Sequence, residues 1–331
     1  MILQITQIPA SVVCRVAMIV GMLLAFTQAQ AQIATPASAP SQPVNLTLIA
    51  TNKAGVSVED ARQEDFQIVD GKQPRAISQF SKDLRPVDYG LVMDNSQSLR
   101  SLLKPVILAA KSLVNSKRPD EEIFIIRFTG SQNIETVRDF TPDKAELTSG
   151  IDELHISNGQ SAVIDAVGLA IKHTMEVKGA DRSRRRALVL FSDGENRDSY
   201  YGIDQLIKFV REHDVQVFVV GLVWLLDEKP LLTRASPRAT AEKLLEKIAQ
   251  ESGGRAFFPK GVDELIAVTS QIDHDLHFQY SIGFAPQGKA GEKGFRKIKV
   301  EGSTAPGREK LKAITRTGYL VPSPIQPATN K

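Results

Sequence analysis

The chain holds one cysteine, Cys14, in 331 residues. Cys14 lies in a segment read below as a cleaved signal, so the mature chain would have no disulfide framework, thiolate nucleophile or cysteine-based metal centre. No G-x-S-x-G motif occurs and no histidine is tied by local motif to a serine, so a hydrolase would lack its nucleophile and base. An imbalance of charge is also missing: 41 Lys and Arg face 38 Asp and Glu, a net charge of +3. Nothing there argues for a nucleic-acid partner. The apolar run 16–26 is about half the roughly 20 residues needed to cross a bilayer.

That run nevertheless has a use. Arg15 is the only charge in the first 31 positions, and Thr27-Gln28-Ala29-Gln30-Ala31 follows the run with small residues at the minus-three and minus-one places. This pattern predicts a signal peptide over 1–31, cleaved after Ala31, and an exported protein, periplasmic or secreted, with no membrane span after cleavage. Residues 32–43, rich in Pro, Ala and Ser, read as a disordered lead-in, and 322–331 as a similar tail.

Between them the organisation changes twice. Alternating apolar and polar residues over 44–50 and 65–70, an Asp70-Gly71 hairpin signal and a strand near 77–80 predict half-buried antiparallel strands. Three more strands are expected over 278–284, 295–300 and 311–317. Neither group suffices for a stable sandwich, so 44–84 and 278–321 are expected to pair into one small β domain.

The middle, 85–277, alternates strands and helices, which predicts a mostly parallel sheet with helices on both faces. Strands are expected at 89–93, 123–128, 187–192 and 215–222, with weaker ones near 135–140 and 255–258. Helices are expected near 101–115, 143–151, 162–175, 202–213, 239–252 and 262–275.

Three turns in this middle part carry chemistry. Asp94-Asn95-Ser96-Gln97-Ser98 follows an apolar strand and precedes a helix. Asn158-Gly159-Gln160-Ser161 is a second turn leading into a helix, and Ser192-Asp193-Gly194 ends another apolar strand. Taken alone, each has a plainer reading: a helix N-cap for Asp94 or Ser96, a cap for Ser161, a β-turn for Asp193-Gly194. Together they put carboxylates and hydroxyls on the carboxyl edge of one sheet, where ligands bind in open α/β folds. Hard oxygen donors grouped this way suit Mg2+.

This order of motifs resembles the von Willebrand factor type A (VWA) domain, a Rossmann-like fold, with its metal-ion-dependent adhesion site. The flanking strands, from Val44 to Phe80 and from Gln279 to Pro322, resemble the bacterial VWFA-related acidobacterial domain family. The resemblance implies direct metal binding by Ser96 and Ser98, binding by Asp94 largely through water, Ser161 in the place of the usual threonine, and Asp193 as the third-loop carboxylate. It implies Mg2+, with Mn2+ or Ca2+ as alternatives, and an open metal position for the acidic side chain of a protein partner. Leu99-Arg100-Ser101-Leu102-Leu103 supplies no acid for a second ion, so one site is expected.

Other candidates yield to structural readings. His274 and His277 fall at a helix end, where imidazoles suit the helix dipole better than they suggest zinc. The Gly-rich segment 288–294 lacks Gly-Lys-Ser/Thr and reads as a hairpin loop. Arg182 to Arg186, without interleaved aromatics, reads as a solvated loop opposite the metal site. Two function classes remain: a metal-dependent binding module, or an extracytoplasmic scaffold or assembly factor with a weak or vestigial metal site. An enzyme is disfavoured, because the site offers no base or nucleophile beyond metal ligands.

Overall fold

The computed structural model describes residues 43–179, 181–230, 235–286, 294–303 and 307–321. The expected signal peptide, nearly all of the lead-in, the tail at 322–331 and most of the 288–294 loop lie outside the described residues. In chain order the strands begin with β1 (Val44–Thr51), β2 (Phe66–Asp70), β3 (Gln73–Arg75), β4 (Ile77–Asp83) and β5 (Val87–Asp94). Helix α1 (Leu103–Ser116) then leads to β6 (Ile123–Phe128), β7 (Ile134–Thr141), α2 (Lys144–Asp152) and α3 (Val163–Lys178). Next come β8 (Arg185–Ser192), α4 (Ile203–Glu212), β9 (Gln216–Gly221), α5 (Pro237–Ser252), β10 (Ala256–Phe257) and α6 (Leu265–His277). The chain closes with β11 (Gln279–Phe284), β12 (Phe295–Gly302), β13 (Lys312–Ile314) and β14 (Gly318–Leu320).

The central sheet has the order β10-β9-β8-β5-β6-β7. All its pairings are parallel except β6 with β7 at one edge. Strands β5 and β8 are buried along their whole length, as their near-continuous apolar runs demand of a sheet covered on both faces. Successive side chains point to opposite faces. Tyr89, Leu91, Met93, Val189 and Phe191 pack with α1, α2 and α6, while Val92, Leu188, Leu190 and Val219 pack with α3, α4 and α5. Strand order reverses at β5, which has β8 on one side and β6 on the other. The crevice at its carboxyl end is where ligands bind in such folds.

Helix ends match their local chemistry. Pro105 falls in the first turn of α1, where its missing N–H costs no hydrogen bond. Asp143 caps α2 by accepting from the Ala145 and Glu146 amides. Helix α5 starts two residues earlier than its apolar spacing predicts, because Ser236 caps it and Pro237 occupies its first position. It stops at Gly253, whose φ of 80° is the left-handed turn that favours glycine.

The two ends of the chain interleave in two antiparallel sheets, β13-β1-β11-β4 and β14-β12-β2-β3. Their shared core contains Leu46, Leu48, Phe66, Ile68, Tyr280, Ile282, Phe284, Val300 and Tyr319. One strand was not expected, β3, and one segment read as a single strand is divided. After the Asp70-Gly71 hairpin the chain adds β3 to one sheet and then crosses to the other as β4. The strand expected over 311–317 divides into β13, beside β1, and β14, beside β12. These sheets join the parallel-sheet layer through Arg316 on the Arg211 carbonyl at 2.6 Å, Thr317 on Glu251 at 2.6 Å, and Arg255 on Gly55 O at 2.8 Å.

The basic cluster departs from the solvated reading. Arg185 and Arg186 are buried in the first positions of β8, and Arg184 makes a two-pronged bond to buried Asp88. Aliphatic stems pack in the layer while guanidinium groups reach backbone carbonyls and carboxylates, the usual compromise for a long cationic side chain.

Candidate metal centre

Three loops meet at the carboxyl edge of β5 and β8. The first begins at Asp94, the last residue of β5, where the apolar strand ends and the chain turns through Ser96 into a short 3-10 turn, Gln97–Leu99. Asp94 Oδ1 accepts the Ser96 amide at 3.0 Å, the Asx-type bond that makes Asp a natural turn opener. The Ser96 and Ser98 hydroxyls lie 3.1 Å apart. Ser96 is buried and Ser98 is exposed, so the pair runs from the interior to solvent.

The second loop brings in Ser161. Its hydroxyl donates to Asp94 Oδ2 at 2.9 Å, and it does not cap α3, whose first turn receives Asn196 Oδ1 at the Ile164 amide, 3.1 Å. Gly159 makes the approach possible: its φ is 148°, and a β-carbon there would stand 2.7 Å from Thr129.

The third loop begins where β8 ends. Asp193 is 1% exposed, and its Oδ1 accepts the Glu195 amide at 3.0 Å. Gly194 turns with φ 75°, and a β-carbon there would stand 2.8 Å from Leu245. Its amide is bound by Ser192 Oγ at 3.0 Å. That same hydroxyl donates to Asp94 Oδ2 at 2.6 Å.

All five residues singled out in the sequence, Asp94, Ser96, Ser98, Ser161 and Asp193, stand on these three loops. Direct bonds join Asp94 to Ser96 and Ser161, and Ser96 to Ser98. Two further residues were not anticipated. Ser192 follows the apolar run and looks like a strand residue, yet its hydroxyl links both carboxylate loops. Asn95 ties the first loop to the second: its side chain donates to the His155 carbonyl at 2.6 Å, and its carbonyl accepts the Ser157 amide at 3.0 Å. Their places inside the D-x-S-x-S and S-D-G motifs were the available signal.

The electrostatics are unbalanced. Burial, with the charge of Asp193 adding to it, pushes the Asp94 carboxyl up to about 6. Burial also raises Asp193, against the opposing pull of the Ser98 side chain and the Glu195 amide. The charge of Arg197 pulls Asp193 down and that of Glu195 pushes it up, and no Lys or Arg appears among the influences on Asp94. Asp193 Oδ2 is buried with no hydrogen bond of normal geometry among the described residues, the Ser98 hydroxyl being near enough only to favour the charged form. A buried carboxylate oxygen left so is costly unless something compensates it. Among the described residues no group of three or more His, Cys, Asp or Glu could hold a metal, so any ion here would draw its remaining donors from hydroxyls and water. Two carboxylates and three hydroxyls form an all-oxygen set of the kind that suits a hard divalent cation.

Residues 88–271 match the family model of the von Willebrand factor type A domain. A UPF0353 protein of Mycolicibacterium gilvum (strain PYR-GCK) is 22% identical over 213 residues, 60% of this chain and 63% of that protein. The chain thus spans less than two thirds of the length of such curated relatives. Among solved structures, the conserved hypothetical protein BatB from Bacteroides thetaiotaomicron is similar at 19% identity, covering 57% of this chain and 98% of that one with a TM-score of 0.44. A von Willebrand factor type A structure from Catenulispora acidiphila aligns at 11% identity over 85% of this chain and 74% of that one, TM-score 0.46. With more than half of its length matched by the family model, the chain belongs to the von Willebrand factor type A domain family.

Proposed function

We propose that this protein is an exported binding module that captures an acidic side chain of a protein partner through a divalent cation, Mg2+ first among the candidates. The observation that carries the reading is the pair of buried carboxylates, Asp94 and Asp193, one of whose oxygens has no hydrogen bond of normal geometry among the described residues. Ser96, Ser98 and Asp193 would hold the ion, Ser161 would add a hydroxyl, and Asp94 would act largely through water. The ion supplies a positive charge with an exchangeable position that a carboxylate can fill. The protein's own residues orient that position: Ser192 and Ser161 fix Asp94, and Asn95 fixes the loops relative to each other. Membership in the family supports an interaction module over an enzyme. Export rests on the signal pattern at 1–31; separately, among the described residues no helix is long and apolar enough to cross a membrane.

One observation favours a second reading, an extracytoplasmic scaffold with a weak or vestigial site. The Ser161 hydroxyl is spent on Asp94, so the loops hold each other without an ion. Titration calorimetry with Mg2+ on the mature protein and on Asp94→Ala separates the two. Heat that saturates with the wild type and disappears with the variant supports capture through the ion; no heat with either supports the scaffold.

A further inference from the structure

Two aromatic side chains stand out beside this centre. Tyr200 is 83% exposed and Tyr201 54% exposed, with rings edge to face, centroids 5.1 Å apart and planes at 86°. Exposed tyrosines are common, but the backbone under these two is fixed to an unusual degree. The carboxylate of Asp165, only 6% exposed, accepts the Tyr200 amide at 2.7 Å and the Tyr201 amide at 3.0 Å. Burying a carboxylate costs stability unless it is bonded, and these bonds hold two exposed rings. Ser199 and Asn196 bond side chain to side chain at 2.5 Å, and Asp198 accepts both the amide and the hydroxyl of Ser131.

The same segment is stitched to the metal-site loops. Arg197 and Asp198 donate their amides to the Ser161 carbonyl at 2.9 and 3.2 Å, while the Ser161 hydroxyl reaches Asp94. Asp165 sits in the first turn of α3, four residues beyond Ser161. The segment that carries the rings is therefore hydrogen-bonded to the loop and helix turn that position Ser161. On the opposite loop Arg100 is exposed, bonded to Gln97 Oε1 at 3.1 Å, with no carboxylate partner among the described residues. An exposed cation on one loop and exposed rings on a fixed backbone on another complement a segment that carries an acid and an apolar residue together. Rings set edge to face offer no single flat platform of the kind that stacking on a sugar face needs, and leave apolar contact with a compact side chain as the fitting use.

We propose that Tyr200 and Tyr201 are a second contact point beside the metal position, receiving a proline or aliphatic residue next to the acidic side chain of a protein partner. The inference rests on the metal-dependent capture argued above. Preorganised tyrosines suit this role, since they offer large amphipathic area and the fixed backbone leaves little entropy to lose on binding.

The test uses the mature protein and immobilised synthetic peptides centred on Asp, flanked either by Pro and Leu or by Gly, with Asn-centred controls. Wild type, Asp94→Ala and the double variant Tyr200→Ser/Tyr201→Ser are compared with Mg2+ and with chelator. Wild type should bind the Pro/Leu-flanked Asp peptides about 2- to 10-fold more tightly than the Gly-flanked ones, the range for an aromatic contact. The double variant should lose that preference and keep its Mg2+ affinity. Equal wild-type binding of both Asp sets, with Mg2+ dependence intact, overturns the aromatic contact and leaves the metal reading standing. Absence of Mg2+-dependent binding to any Asp peptide overturns both.

Discussion

Ser192 Oγ donates to Asp94 Oδ2 at 2.6 Å, so the residue preceding one site carboxylate is the hydrogen-bond partner of the other. The bond crosses from β8 to β5 and makes the two loops a single unit. Ser192→Ala should therefore loosen the site without unfolding it. A cost of about 1–2 kcal/mol in denaturant unfolding is expected for the lost buried bond. Mg2+ affinity should fall with it, read by calorimetry.

Asp94→Ala should weaken Mg2+ binding by about 10- to 100-fold or more, the range for groups that act on a metal from its outer shell. Ser161→Thr should preserve or strengthen binding, since it keeps the hydroxyl and restores the residue usual at that position. Calorimetry on the two variants, with circular dichroism to verify the fold, checks both.

The pH response of the centre has a definite sign. Asp94 is raised by burial and by Asp193 to about 6, above its ordinary 3.8. Its contribution to stability is present below the ordinary value and lost as pH rises through about 6. A cation between the carboxylates reverses that loss. Mg2+ should raise the melting temperature clearly at pH 7.5 and little at pH 5, where protons compete with the ion. Scanning calorimetry at both pH values, with and without Mg2+, is the measurement.

His277 predicts a second pH effect, through a separate group of residues. Burial alone would depress it, but bonds to Asp273 and to buried Glu121, at 3.0 Å, outweigh burial and hold it near 9. A raised histidine gives stability that is full below its ordinary 6.5 and lost as pH rises through about 9. Glu121 and Asp273 are held low by the same partner, against burial, and lose their contribution as pH falls. Stability from this cluster should therefore peak between these limits. His277→Ala strands Glu121 inside the fold and should cost about 3 kcal/mol, with a flatter alkaline limb in unfolding titrations.

Export is tested by intact mass. The exported form from the native host should begin at Gln32, and a species retaining Met1 in the cytoplasm would contradict the signal reading.

The parallel sheet was legible because burial on both faces leaves long apolar runs, as in Ala187 to Phe191, and six helices follow from apolar spacing, although only Asp143 and Ser236 cap a helix with a side chain. The carboxylates of the centre were legible because a strand end followed by Asp and small hydroxyls is a local pattern. What stayed hidden is non-local. Nothing near Ala76 or Thr315 signals that the chain changes sheets there, since both sheets ask for the same alternation. Ser192 was hidden for a similar reason: its role depends on a strand 98 residues away. Arg185 and Arg186 read as surface because charge patterning cannot show a buried partner such as Asp83, which lies 3.8 Å from Arg185.

Interleaved chain ends set the order in which this protein can be completed. Val44 pairs with Phe284, and each of the two end sheets takes two strands from before the central layer and two from after it. Closing such distant pairs is slow, because loop entropy must be overcome before any contact rewards it. The central layer, built from local βα units, can form while β1 to β4 are still without partners. Until the last strands arrive, β1 presents bare edges that invite pairing with another chain. A chain cut short after α6 would keep every residue of the candidate centre and lose the partners of β1, making it prone to aggregate for reasons unrelated to that centre.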